Sequence, residues 1–143
     1  MKTGAIKVLR FLGAHDSGRV MNELTYRNQV FGGIVMGIGL GKTERRVLDG
    51  VQTGKMLNRN SLDYGVPTVL DVATEFECVP IDPQDQEANT VGCKGIGEPA
   101  TIPTAAAFAN AVYNATGVRV TGAPINRINF LNALAASEQG EGD

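Results

Sequence analysis

Tryptophan is absent from the 143 residues, histidine occurs once, cysteine twice, and there is no basic excess, with 13 Lys and Arg against 15 Asp and Glu. Each shortage excludes something. A net charge of −2 and aromatics at only 6% provide neither a cationic surface for duplex phosphates nor a platform on which bases stack, so nucleic acid is not an expected partner. Cys78 and Cys93 form no Cys-x-x-Cys pair and His15 has no second histidine, which excludes zinc and iron–sulfur sites built by this chain alone. A Cys78–Cys93 disulfide and two free thiols both remain open, free thiols being the commoner state in a reducing compartment. Long hydrophobic runs are missing as well. The most apolar window, Val30 to Gly41, has twelve residues between Arg27 and Lys42, well short of the roughly 20 that cross a bilayer. No membrane span is expected, and Met1-Lys2-Thr3-Gly4 leading into Ile6, Val8, Leu9 and Phe11 does not read as a targeting segment.

What is present is an ordinary globular composition, 43% hydrophobic and 20% charged, which fits one core and one domain. Alternation from Ala5 to Arg10 predicts a strand, and Gly13 to Gly18 a turn. Helical spacing of Leu24, Phe31, Val35, Ile38 and Val47 predicts a helix from Asn22 to about Leu48, interrupted in composition by Gly32, Gly33, Gly37, Gly39 and Gly41. Each interior glycine costs about 0.5–1 kcal/mol relative to alanine. Gly33, Gly37 and Gly41 fall on one face, where either another backbone or a flat ligand can come close. Asp49 to Gly54 reads as turn, Asn58 to Tyr64 as polar turn formers, Val66-Pro67 as the start of an extended piece, and Glu75 to Val79 as a half-buried strand. Asp82 to Asn89 is a surface loop by composition. Pro103 opens a helix through Ala105 to Tyr113 that Gly117 closes in a left-handed conformation. Val118 to Val120 reads as a short strand. Pro124 opens a last helix through Ile125, Ile128, Leu131 and Leu134, and residues 138–143 read as a disordered tail.

One acid stands apart. In Gly92-Cys-Lys-Gly-Ile-Gly-Glu98-Pro99 a single carboxylate sits on glycine-rich backbone, which a ligand can approach closely. Gly95 to Ala100 formally matches the dinucleotide fingerprint Gly-x-Gly-x-x-Ala. That fingerprint also needs a hydrophobic strand before it and an acid about 20 residues later, yet no Asp or Glu lies between Pro99 and Ser137. A structural reading competes: Glu98 near the positive end of the following helix gains about 0.3–1 kcal/mol. From the local pattern alone, helix stabilisation and catalysis both stay open.

Taken together the motifs are more specific. Ala14-His-Asp-Ser-Gly-Arg19, Gln29-Val-Phe-Gly-Gly-Ile-Val-Met-Gly-Ile-Gly39, Leu57-Asn58, Asp63-Tyr64, Lys94-Gly-Ile-Gly-Glu98-Pro99, the alanine-rich run Ala107 to Arg119 and the closing Ile125 to Leu134 occur in one order and spacing. In that order they resemble the C-terminal part of the molybdenum-binding subunit of the xanthine dehydrogenase/aldehyde oxidoreductase family. The resemblance runs from about Gly4 to Leu134. It implies an α+β segment of a molybdopterin-binding domain over residues 1–137, with short mixed strands and two to three packed helices.

The resemblance also implies a site. Glu98 matches the family's general base, which lies beside the molybdenum and takes the proton of the attacking water; a water-poor pocket would bring its pKa toward the working pH. Gln29 matches a glutamine that hydrogen-bonds the pterin, with the backbone of Gly32 and Gly33 close by, while Gly95 and Gly97 leave room beside the metal. His15, Asp16 and Arg19 match turn and packing residues. No residue of this chain is expected to ligate the metal. The implied cofactor is the molybdenum cofactor, molybdopterin or its dinucleotide form, with FAD and [2Fe-2S] clusters on partner subunits. The substrate would be an aldehyde or an N-heteroaromatic, and Met36 and Glu23, where many relatives have glutamine and proline, lean toward the aldehyde-oxidising branch. A family subunit is several times longer, so the implied partners are the remaining molybdopterin-binding segment, iron–sulfur and flavin subunits, or further copies of the chain. The implied compartment is the cytoplasm, or the periplasm if a partner carries an export signal. The other reading is a structural or assembly subunit without activity of its own.

Overall fold

In the computed structural model, which describes residues 3–81 and 84–140, the sheet consists of two parallel strands. Strand β1 (Arg10–Asp16) pairs with β2 (Glu75–Ile81) in a register running from Arg10 opposite Glu75 to Asp16 opposite Ile81. Parallel neighbours need a crossover, and the first part of it is helix α1 (Glu23–Ile38). Asn22 starts this helix, its side-chain oxygen accepting from the Thr25 amide at 3.0 Å, which satisfies one of the amides left free at a helix start. Tyr26, Val30, Ile34 and Ile38, four residues apart, form a single stripe, none more than 5% exposed. That stripe packs on Phe11, Phe76 and Cys78 of the sheet and on Ile96. A Cβ built at Gly13 would stand 2.8 Å from Val30 Cγ1, so the glycine in β1 is what lets α1 lie this close.

The α-helix ends earlier than the apolar spacing predicts. After Ile38 the chain widens into a π-turn, Gly39–Thr43, closed by the Glu44 amide donating to Gly39 O at 2.8 Å, and leaves it extended. Pro67 supplies a reason: its Cγ would be 2.6 Å from a Cβ at Gly39, so this turn is shaped around a second segment. The chain from 44 to 74 is mostly irregular, with the four-residue helix α2 (Ser61–Tyr64) capped by Asn60 and ended by Gly65 at φ 83°. No strand forms at Val66-Pro67.

Helix α3 (Thr104–Thr116) follows Pro103 and is closed by Gly117 at φ 74°, as the flanking residues predict. Its Phe108 and Val112 gather Val118, Ile125 and Phe130 into a second buried cluster, and Val8 packs against both clusters. Helix α4 (Arg127–Gly140) begins where Asn126 Oδ1 accepts from the Asn129 amide at 2.9 Å. It reaches past the expected boundary, so Glu138 to Gly140 of the expected tail are helical, while 141–143 lie outside the described residues.

Two strand expectations are corrected. Residues 5–9 are not a strand, and the segment expected to turn, Gly13 to Gly18, is strand as far as Asp16. The alternation of Ala5 to Leu9 arises because Ile6 and Val8 reach the buried clusters from irregular backbone. Val118 to Val120 also forms no strand; Val118 is buried against α3 and α4 without a pairing neighbour among the described residues.

Candidate functional site

The glycine-rich stretch 92–98 crosses the end of β1 beside the N-terminal half of α1. It is tied by backbone pairing to the segment that follows β1: Gly18 bridges Cys93, the Lys94 amide donates to Ser17 O at 2.6 Å, and the Arg19 amide donates to Gly92 O at 2.8 Å. The Lys94 ammonium lies 2.9 Å from Asp16 Oδ2 and 3.2 Å from Asp85 Oδ2, gathering the end of β1 and the 84–92 loop around one cation. The hydrogen bond from Lys94, then that from the Gly18 amide, holds the Asp16 carboxyl below its ordinary value; the bonds to Asp16 and Asp85 push the Lys94 ammonium up. Ile96 packs into the core against α1. Gln29 Nε2 donates to Gly97 O at 2.7 Å. Residues 94, 96 and 97 are thus held by charge, packing and a hydrogen bond in turn.

The backbone is open at two glycines of the loop and at one of α1. A Cβ at Gly95, Gly97 or Gly32 would meet nothing within 4 Å. The structure therefore brings Gln29 and Gly97 together, leaves space over Gly32, Gly95 and Gly97, and places Glu98 directly after. Gly33 behaves differently. Its Cα face is taken by Ala100, whose Cβ would be 2.5 Å from a Cβ there, and Gly41 abuts Phe108 at 3.0 Å in the same sense. The glycine stripe, which from sequence fitted a helix neighbour or a ligand equally, is occupied by the turn before α3 and by α3 itself.

Glu98 is exposed, and its carboxylate has no hydrogen bond or ion pair among the described residues. Its backbone is ordered, however: Glu98 O accepts from the Thr101 and Ile102 amides at 2.8 and 3.3 Å, opening the turn that leads into α3. The helix starts only at Thr104 and has no side-chain cap. Helix-end electrostatics act within the first turn, so the account of Glu98 as a helix-stabilising acid lacks its geometry. The enclosed, water-poor pocket expected around Glu98 is not built by these residues either. An apolar trough of about 620 Å³ between residues 3–12 and α3 contains none of the site residues. A smaller cleft, about 390 Å³, lies beside the site and is lined by Arg19, Thr25 and Gln29 together with Lys94, Ile96 and Gly97.

The donor set bears on what could bind. No three His, Cys, Asp or Glu side chains converge on a metal position among the described residues. Cys78 and Cys93 are free thiols. The Gln29 amide beside the open glycines spends its NH2 group on Gly97 O and keeps its oxygen without a partner among the described residues, which suits a donor on the edge of a flat heterocycle. These residues fit one side of such a cofactor.

Sequence reasoning missed how this loop is fixed. Asp16 was expected to serve in a turn, and it does accept from the Gly18 amide at 2.9 Å, but it also pairs with Lys94. Asp85 belonged only to a loop. A lysine between glycines and two acids in flanking loops was the available signal.

A bare-backed loop bearing one free carboxylate, held against a helix that offers an amide, describes part of a cofactor-binding domain rather than a complete pocket. The chain belongs to the molybdopterin cofactor-binding domain family, which it matches over residues 1–73, and the cofactor of that family is the molybdenum cofactor. Over 132 residues it is 36% identical to the aldehyde oxidoreductase molybdenum-binding subunit PaoC of Escherichia coli K12, covering 92% of this chain and 18% of that protein. The putative xanthine dehydrogenase molybdenum-binding subunit XdhA of the same organism is 38% identical over 120 residues, covering 84% of this chain and 16% of that protein. The aldehyde oxidoreductase of Desulfovibrio gigas superposes with a TM-score of 0.83 at 26% identity, over 94% of this chain and 14% of that one. The mixed α+β fold is that of a segment of these molybdenum enzymes, and the chain spans less than a fifth of the length of the relatives named here.

Proposed function

We propose that this chain supplies one wall of the catalytic site of a molybdenum hydroxylase that oxidises an aldehyde or an N-heteroaromatic compound with water as the oxygen source. The observation that carries this is the Gln29–Gly97 hydrogen bond, which joins the helix of the cofactor-binding segment to the turn bearing an unpartnered Glu98. When bound, the molybdenum cofactor would supply the two-electron oxidation and acidify the attacking water. Gln29 and the open backbone at Gly32, Gly95 and Gly97 would receive the pterin edge. Glu98 would act as general base, taking the proton of that water at one carboxylate oxygen, which its freedom from other partners leaves available. The remaining walls would come from the rest of the molybdopterin-binding subunit, and FAD and [2Fe-2S] clusters from partner subunits. Exposed Leu9, Leu12, Leu62 and Leu70 are consistent with such partners. No helix among the described residues is long and apolar enough to cross a membrane.

In the assembled enzyme, Glu98→Gln should lower turnover by about 10²–10⁴, the usual contribution of a general base, while molybdenum content stays as in the unsubstituted enzyme. Turnover within a few-fold of the original would remove Glu98 from the reaction. A second reading, an assembly subunit without chemistry of its own, is favoured by the exposure of Glu98 in this chain. Purifying the chain with its companions, assaying molybdenum and sequencing the co-purifying polypeptides separates the two. A metal-free homo-oligomer supports the assembly role; metal together with a partner subunit supports the enzyme.

A further inference from the structure

We infer that Gln29 is a positioning residue for Glu98, an inference that rests on the reading of Glu98 as the base. Gly97 O can only accept, so the Gln29 amide must present its NH2 group to it, and the 2.7 Å contact settles which end of the side chain faces the loop. The Gly97 carbonyl and the Glu98 amide nitrogen belong to one rigid peptide plane. Holding the oxygen therefore fixes the plane from which the Glu98 Cα departs. Without that hold Gly97 would be as free as Gly95, since each is a glycine with nothing within 4 Å of its Cα face. The other side of Glu98 is already fixed by the Thr101 and Ile102 amides and by fully buried Ala100.

The same side chain has a second end. Gln29 Oε1 has no partner among the described residues, and Gln29 lines the 390 Å³ cleft beside the loop. It is free to accept from a ring N–H of the pterin. One amide then couples two events: a cofactor donor that orders the Gln29 side chain also orders the peptide plane that carries the base.

The test combines motion and kinetics. Gln29→Met keeps the length and removes the donor, and Gln29→Glu is isosteric but sets an oxygen against Gly97 O. In 15N relaxation of the full chain, the order parameters of the Gly97 and Glu98 amides should fall in both variants from the rigid range near about 0.85 toward about 0.6, with α1 amides unchanged. In the assembled enzyme, kcat should fall about 3–10-fold at unchanged KM, with molybdenum retained. Unchanged order parameters, or a loss confined to molybdenum content, would overturn the positioning role and leave Gln29 as a cofactor contact only. Glu98→Gln measured in parallel keeps the two ideas apart. If it turns over normally, the base assignment falls and the positioning inference with it; if it is inactive while Gln29→Met keeps full kcat, only the positioning inference falls.

Discussion

Alanine at Gly32 and alanine at Gly33 should move the stability of the chain in opposite directions, although the two positions are neighbours in one helix. Both substitutions gain helix propensity, about 0.5–1 kcal/mol. At Gly32 nothing stands within 4 Å of the new methyl group, so the gain is kept. At Gly33 the methyl would lie 2.5 Å from Ala100 Cβ, 2.9 Å from Ala100 C and 3.0 Å from Thr101 N. Two of those atoms are backbone and Ala100 is fully buried, so the turn before α3 must move away from α1. Overpacking of this kind costs about 1–3 kcal/mol. Because the propensity gain is common to both variants, that cost is also the expected gap between them. With a urea m-value of about 2 kcal/mol/M, it separates their unfolding midpoints by about 0.5–1.5 M. Urea titration of the full chain followed by circular dichroism measures it. A Gly33→Ala midpoint equal to or above that of Gly32→Ala would refute the close approach of the turn to α1.

Asn58 is 7% exposed, and its side chain accepts from the Val47 amide while donating to Arg45 O and Asp63 O. Asn58→Ala strands those backbone groups and should cost about 2–4 kcal/mol in the same titration, a loss below about 1 kcal/mol counting against the bonds drawn here. The Lys94 cluster predicts two limbs in stability against pH. The Asp16 carboxyl is held below its ordinary 3.8, so its contribution is present above 3.8 and is lost as pH falls through the lower folded value. The Lys94 ammonium is raised above 10.5, so its contribution is present below 10.5 and is lost as pH rises through the higher folded value. Subtracting the profile of Lys94→Met from that of the unsubstituted chain should leave a plateau between these limits, falling at both ends; a flat difference would rule out the pairing.

The elements legible in the sequence were those whose signals lie within a few residues of each other. Asn22 before an apolar stripe placed the start of α1, Pro103 and Gly117 bracketed α3, and alternation from Glu75 marked β2. Strand β1 was misplaced because its centre is Gly13, a residue chosen by the approach of Val30 from α1 and not by strand propensity. The far end of α1 was overrun because the contact that shapes it, Pro67 on Gly39, is remote in sequence. At the site, resemblance singled out Gln29, Gly97 and Glu98 but could not show that the first two touch. A hydrogen bond to a backbone carbonyl leaves no trace in residue identity. The glycine stripe was undecidable for a related reason, since a small residue announces that something comes near without saying what.

The ties that assemble the loop join residues 68 and 78 positions apart, Gln29 to Gly97 and Asp16 to Lys94. Closing such long spans is slow and their entropy cost is met only when the flanking elements have docked. During synthesis Asp16 and Gln29 leave the ribosome before Lys94 and Gly97, so the two anchors of the loop exist before the backbone they hold.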